Sequence, residues 1–218
     1  MRPYRVPQRS LPAVILLPLL ALGLLGCSYT GPGSDHTDPA TPSVGQAAPD
    51  FELRTVDGMR HRLSTYTDGG PVVLMVLRGY PGYQCPICSA QVGAYISEAQ
   101  AFAQRDATVI FVYPGPAEGL TEHASDFIAG QGLPSNFLFL VDPDYTFTNR
   151  YGVRWDEEGQ TAYPSTFVID QGSRTVRHAH ISHGVRNRTA PQDILRVLDA
   201  EQEQDRPQRQ RNSRPGRY

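Results

Sequence analysis

The stretch Pro71-Val72-Val73-Leu74-Met75-Val76-Leu77-Arg78-Gly79-Tyr80-Pro81-Gly82-Tyr83-Gln84-Cys85-Pro86-Ile87-Cys88 decides the fold. Its first half is an unbroken apolar run, as expected of a strand covered on both faces. A Gly/Pro/Tyr loop over 79–84 ends that strand. From Cys85 to about Arg105, Val92, Tyr95, Ile96, Ala99 and Phe102 recur at helical spacing, which predicts a helix.

Two cysteines therefore fall where a buried strand gives way to a helix. A helix start presents unpaired N–H groups and positive dipole potential, which favour thiolate over thiol at Cys85. Cys88 lies nearly one turn further on, close enough to reach Cys85 but less exposed. Cys85 reads as the nucleophile and Cys88 as the resolving thiol. Arg78, at the strand end, is expected to add positive charge. Pro86 suits the first helical turn, where its missing N–H costs little. A purely structural disulfide is disfavoured, because so short a loop hardly constrains the unfolded chain. Half of a zinc site is disfavoured, because there is no second cysteine pair.

Working outward, Phe51 to Val56 reads as a strand, Asp57-Gly58 as a hairpin turn and Met59 to Leu63 as the return strand. Thr108 to Tyr113, Phe137 to Val141 and Thr166 to Ile169 are further core strands. Gly172 turns the chain into an antiparallel strand over Thr175 to Ile181. Helices are expected from Thr121, as N-cap, to about Ala129, briefly over Pro143 to Tyr151, and over Ala190 to Glu203. The pattern is a βαβ unit followed by a ββα unit around a mixed sheet.

Composition limits the alternatives. Of 218 residues, 39% are hydrophobic and 19% charged, which suits a globular domain. Every basic residue other than histidine is arginine; the lack of lysine excludes a Schiff-base or P-loop lysine. The net charge of −2 is uneven. Residues 1–26 hold three arginines and residues 206–218 hold five, with no acid in either; setting those eight aside leaves −10 on 27–205. An acidic body argues against a nucleic-acid partner.

Arg2, Arg5 and Arg9 precede an apolar run from Leu11 to Leu25 that is short for a membrane span and interrupted by Pro12 and Pro18. Leu24-Leu25-Gly26-Cys27 follows and resembles a bacterial lipobox. The resemblance implies cleavage before Cys27 and lipidation of its sulfur. The expected organisation is a signal peptide over 1–26, a flexible tether over 27–43, a folded domain over 44–203 and a disordered arginine-rich tail over 204–218. The expected location is the cell membrane or outer membrane, facing the periplasm or extracytoplasmic space. There Cys85 and Cys88 form an even pair where disulfides persist.

The segments Val44 to Phe51, Arg78-Gly79 ahead of Cys85-Pro86-Ile87-Cys88-Ser89-Ala90-Gln91, Asp142-Pro143-Asp144, Tyr151-Gly152-Val153 and Tyr163 to Asp170 are informative together. On them, the span from about Val44 to Ala200 resembles the AhpC/TSA–redoxin group of the thioredoxin superfamily, with its peroxiredoxin-like and TlpA-like branches. The resemblance implies an α/β thioredoxin fold, a central mixed β-sheet flanked by helices, with an N-terminal β-hairpin extension. It implies that Pro164 is a cis-proline facing the dithiol, with Tyr163 and Thr166 beside it to support a partner strand. Typical peroxiredoxins carry a threonine three residues before the reactive cysteine, a proline seven before it, and an arginine where this chain has Pro164. Here those first two positions are Gly82 and Arg78.

Three functions follow. A thiol–disulfide oxidoreductase would act on protein disulfides and be served by a dithiol electron donor. A thiol peroxidase would act on small peroxides, with Cys85 peroxidatic and Cys88 resolving. A module resembling the Sco copper chaperones would add His178, His180 or His183 to the cysteines, although Sco cysteines are usually separated by three intervening residues and these by two. Neither redox reading requires a cofactor or a metal.

Overall fold

The computed structural model describes residues 41–212. Its centre is a seven-stranded mixed sheet of order β2-β1-β5-β4-β3-β6-β7. The strands are β1 Glu52–Thr55, β2 Arg60–Arg62, β3 Val72–Val76, β4 Thr108–Gly115, β5 Phe137–Pro143, β6 Ser165–Ile169 and β7 Val176–Ile181. β3, β4 and β5 run parallel; β6 pairs antiparallel with β3, and β7 with β6. The β1–β2 hairpin, turned at Asp57-Gly58 with Gly58 at φ +86, extends the sheet by pairing β1 antiparallel with β5. This is the expected α/β thioredoxin fold with its hairpin extension.

The apolar run at 72–77 works as its composition requires. Val73, Met75 and Leu77 face one layer; Val72, Leu74 and Val76 face the other. The first layer contains α2 Pro86–Ser97, α3 Ala99–Ala103, α4 Leu120–Ile128 and α6 Pro191–Asn212. Tyr95, Phe102, Phe111, Phe127, Phe137 and Phe139 fill it, and both cysteines of the dithiol belong to it. The second layer holds α1 Leu63–Thr67 and α5 Thr146–Arg150, packed through Leu63, Phe147 and Tyr151. Each such buried side chain contributes about 1.5–3 kcal/mol.

Some local expectations are corrected. The return strand stops at Arg62, and Leu63 begins a short helix whose Ser64 amide donates to the Asp50 carboxylate at 3.0 Å. The helix expected over 85–105 is two helices, divided at Glu98. Ser97 Oγ donates to the Gly93 carbonyl at 2.9 Å, a back-bond that bends helices, and the turn brings Phe102 against Tyr95 and Phe137. Gly119, at φ +70, precedes α4, so Thr121 lies inside that helix rather than capping it. α6 continues to Asn212, past the expected boundary at 203. At the other end Pro42 is buried and the Thr41 hydroxyl donates to the Gly152 carbonyl at 2.9 Å, so the folded body begins slightly before Val44. The expected signal peptide over 1–26, Cys27, the expected tether as far as residue 40 and the expected tail beyond 212 lie outside the described residues. Among the described residues, no helix is long and apolar enough to cross a membrane.

Candidate functional site: a dithiol at a helix start

Strand β3 delivers the chain to the site, and a short loop sets its exit. Leu77 N–H donates to the Val112 carbonyl at 2.9 Å, and Tyr80 N–H to the Pro114 carbonyl at 3.1 Å. Between them Gly79 stands at φ +70, and a Cβ there would lie 1.9 Å from the Pro114 oxygen. Only glycine fits that turn. Gln84 anchors the end of the loop: its Oε1 accepts from Tyr113 OH at 2.8 Å, and its Nε2 donates to the His123 carbonyl at 2.7 Å. Tyr80 stacks on His123 with ring centroids 3.6 Å apart.

Cys85 follows as the residue before α2, with Pro86 in the first turn. Both thiols are free and both are buried; Cys85 is 3% exposed and Cys88 fully covered. The Cys85 thiol is pulled down from 9.0 to about 5. The hydrogen bond from the Cys88 thiol is the main cause, working against burial. The amides of Cys88 and Ile87 assist without closing a regular helix cap, and the Arg188 cation assists too. Cys88 is pushed up by that same hydrogen bond and by burial; Arg188 and the Arg78 amide pull the other way. One sulfur thus holds the charge and its neighbour holds the proton. The arrangement favours a nucleophile at Cys85 and keeps Cys88 in reserve.

Arg188 was not legible as a site residue. It lies in the loop between β7 and α6, 100 residues from Cys88, and its Nη2 stands 3.7 Å from the Cys88 sulfur. Its Nη1 donates to Gln91 Oε1 at 3.0 Å and its Nε to the Val185 carbonyl at 2.9 Å. The next residue pins this loop: Thr189 Oγ1 is 2.9 Å from both Tyr95 OH and Thr166 Oγ1. No local pattern marks Arg188, because a strand, a loop and a helix must first pack for it to reach the dithiol.

The structure changes the account of the other predicted residues. Arg78 does not direct its cation at the thiols. It is 5% exposed, and its guanidinium donates to Gln160 Oε1 at 2.8 Å, to the Gly159 carbonyl at 3.0 Å and to Tyr83 OH. Its part at the dithiol is played by the backbone amide facing Cys88. Thr166 acts on the site through Thr189. Tyr163 stacks on Trp155, centroids 4.9 Å apart, and meets His183 edge-on. The expected cis bond at Pro164 is not found: every peptide bond among the described residues is trans. Pro164 does lie one residue beyond the Val76–Ser165 pair, beside the exit of β3. Its carbonyl accepts from the N–H of Ser182, the residue after β7, at 2.8 Å. The three histidines do not gather at the cysteines. His180 pairs with the Asn187 carbonyl, and among the described residues no group of three His, Cys, Asp or Glu side chains is placed to hold a metal ion.

A thioredoxin-type sheet with a thiolate–thiol pair at a helix start defines a thiol-based oxidoreductase of the redoxin class. The chain belongs to the AhpC/TSA family, whose sequence profile matches residues 44–179. It is 30% identical over 142 residues to peroxiredoxin Bcp of Bacillus subtilis, covering 63% of this chain and 84% of that one. It is 29% identical over 169 residues to thiol-disulfide oxidoreductase ResA of Geobacillus thermodenitrificans, covering 77% and 84%. In structure it resembles peroxidoxin BcpB of Mycobacterium tuberculosis, with a TM-score of 0.57 and 25% identity over 73% of this chain and 97% of that one.

Proposed function

We propose that the protein is an extracytoplasmic thiol–disulfide oxidoreductase, anchored to a membrane by lipid on Cys27 and working through the Cys85–Cys88 dithiol. The observation that carries the redox part is the placement of two free, buried thiols at the start of α2, Cys85 just before it and Cys88 in its first turn, with the Arg188 guanidinium 3.7 Å from the Cys88 sulfur. Cys85 thiolate attacks a disulfide of a partner, forming a mixed disulfide and releasing one partner sulfur as thiolate. Cys88 then attacks Cys85 Sγ, closing the Cys85–Cys88 disulfide and releasing the second partner sulfur. Two electrons pass from the dithiol to the partner, and a separate dithiol donor restores them. The family's ResA relative supports this reading. The test is reduction of insulin or a disulfide peptide by the reduced full-length chain. Turnover is expected, Cys85→Ser abolishes it, and Cys88→Ser accumulates a mixed disulfide. No turnover and no trapped species would overturn it.

The anchor rests on the basic, apolar and Gly26-Cys27 sequence at the N-terminus. Metabolic labelling with a tagged palmitate is expected to mark the chain and to fail with Cys27→Ser; labelling that survives that substitution refutes lipidation there.

A second reading, thiol peroxidase, is favoured by one observation: Cys85 is only 3% exposed, which suits a substrate as small as a peroxide. The Bcp relative points the same way. Peroxide would convert Cys85 to a sulfenic acid, which Cys88 condenses to a disulfide with loss of water. Stopped-flow oxidation by hydrogen peroxide no faster than that of free cysteine rejects it.

A further inference from the structure

In disulfide exchange the second step is chemically awkward here. Cys88 is fully buried and holds its proton in the resting dithiol, yet it must become a thiolate to release the partner. Among the described residues, no carboxylate is one of the groups that act most on Cys88. The buried acid of β5, Asp142, is committed to the amides of Phe147 and Thr148 at 2.7 and 2.9 Å. The groups that bear on Cys88 are Cys85 from its own helix, Arg188 from the β7–α6 loop, the Arg78 amide from the exit of β3, and Tyr113 from β4, whose phenol burial keeps neutral.

Those groups do not keep the same balance through the reaction. In the resting dithiol two influences oppose ionisation of Cys88 through Cys85: the hydrogen bond it donates and the charge it faces. Both vanish when Cys85 is bonded to a partner sulfur, since that sulfur is then neutral. What remains is burial on one side and, on the other, a guanidinium 3.7 Å away and the Arg78 amide.

We propose that Arg188 is the positioning residue that makes Cys88 a competent resolving nucleophile, offsetting part of the cost of its burial so that Cys88 ionises more readily once Cys85 is tied to a partner. Arg188 cannot accept the proton, because a guanidinium stays charged. The proton passes to water, the Cys88 thiolate attacks Cys85 Sγ, the bond from Cys85 to the partner breaks, and the partner sulfur leaves with the electron pair. Formation of the mixed disulfide thereby switches on its own resolution. The three anchors of Arg188 and its loop, at Gln91, Val185 and Thr189, hold the cation at that sulfur. This rests on the disulfide-exchange reading.

The experiment uses 4,4′-dithiodipyridine, a neutral disulfide that releases one chromophore on attack by Cys85 and a second on attack by Cys88. The reduced full-length chain is mixed with it in stopped flow across pH. The second release is expected to have a midpoint that rises by roughly one to three pH units in Arg188→Gln, the span an opposite charge at this distance commands. Arg188→Lys, which keeps the charge, is expected to show little of that rise. A purely structural role would lower amplitudes in both variants and leave the midpoint in place. A second measurement isolates the pair: in Cys85→Ala, alkylation of Cys88 is expected to titrate lower than in Cys85→Ala combined with Arg188→Gln. Rapid first release with an unmoved second midpoint in Arg188→Gln overturns the role of Arg188 alone, as does a Cys88 whose titration in Cys85→Ala is unmoved by adding Arg188→Gln. Absence of a rapid first release in the unmodified chain overturns the disulfide-exchange reading itself.

Discussion

The charge held by Cys85 makes its reactivity cross that of an ordinary thiol at a definable pH. With Cys85 at about 5 against 9.0 for an unperturbed thiol, the thiolate fraction at pH 6 is about nine-tenths against about one in a thousand. That is nearly a thousandfold advantage in reacting species. Against it, a thiolate loses nucleophilicity as its proton affinity falls, with a Brønsted slope of about 0.4–0.5, which over this shift costs roughly sixtyfold. The fraction wins at pH 6, leaving Cys85 about fifteenfold faster than a model thiol. At pH 9 the fraction differs by only about twofold, the slope wins, and Cys85 is about thirtyfold slower. The two curves cross near pH 7.

The assay is the first release from 4,4′-dithiodipyridine, compared with glutathione from pH 5.5 to 9. A neutral reagent is needed, because an anionic one would be drawn to Arg188. Cys88→Ala removes the largest cause of the shift. A hydrogen bond to a charged group is worth about 1.5–3 kcal/mol, so its loss moves the Cys85 midpoint up by about one to two pH units, and the crossing moves with it. A Cys85 that tracks glutathione at every pH, or a midpoint indifferent to Cys88→Ala, refutes the assignment of charge within the pair.

Three further outcomes follow from the same geometry. Gly79→Ala puts a Cβ onto the Pro114 oxygen at positive φ; it is expected to cost at least about 2 kcal/mol in denaturant unfolding and to slow the first release as the loop to Cys85 shifts. Thr189→Val leaves the buried Tyr95 and Thr166 hydroxyls without their shared partner; a loss of about 1–3 kcal/mol is expected, together with a small upward move of the Cys88 release midpoint, and an unchanged midpoint separates the clamp from the chemistry. For reduced chain, the lowered Cys85 stabilises the folded state fully above the unfolded thiol value, and that contribution is lost as pH falls toward about 5. Chemical denaturation from pH 8 to 5 is therefore expected to show stability falling with pH, with the dependence reduced in Cys85→Ala; equal slopes in the two chains contradict it.

What was legible in the sequence is what local pattern determines. The run Val72–Leu77 alternates between two buried layers and could be nothing but a central strand. Asp57-Gly58 could close a hairpin and does. The errors sit where a distant residue decides. Helix α1 is capped by Asp50, fourteen residues upstream, so Leu63–Thr67 carries no start signal of its own. The break at Glu98 depends on Ser97 turning back to Gly93 and on a ring stack that forms only when α2 and α3 both meet the sheet.

The site divides in the same way, and the division explains its chemistry. Cys85, Cys88 and Pro86 are legible because a helix start polarises whatever occupies it. A helix start alone is a modest influence, worth about 0.3–1 kcal/mol at an ordinary position. It does not account for a shift as large as that at Cys85, whose first cause is the neighbouring thiol. Nor does the spacing of the cysteines say how the second thiol is to be ionised when its turn comes. That depends on Arg188, brought in from the far end of the domain on a loop that Thr189 ties to α2 and β6. The nearer arginine, Arg78, is the one that sequence proximity selects, and the fold uses it to brace Gln160, Gly159 and Tyr83. A motif of this kind identifies where electrons are exchanged and which sulfur acts first; how readily the second ionises is set by its tertiary neighbours.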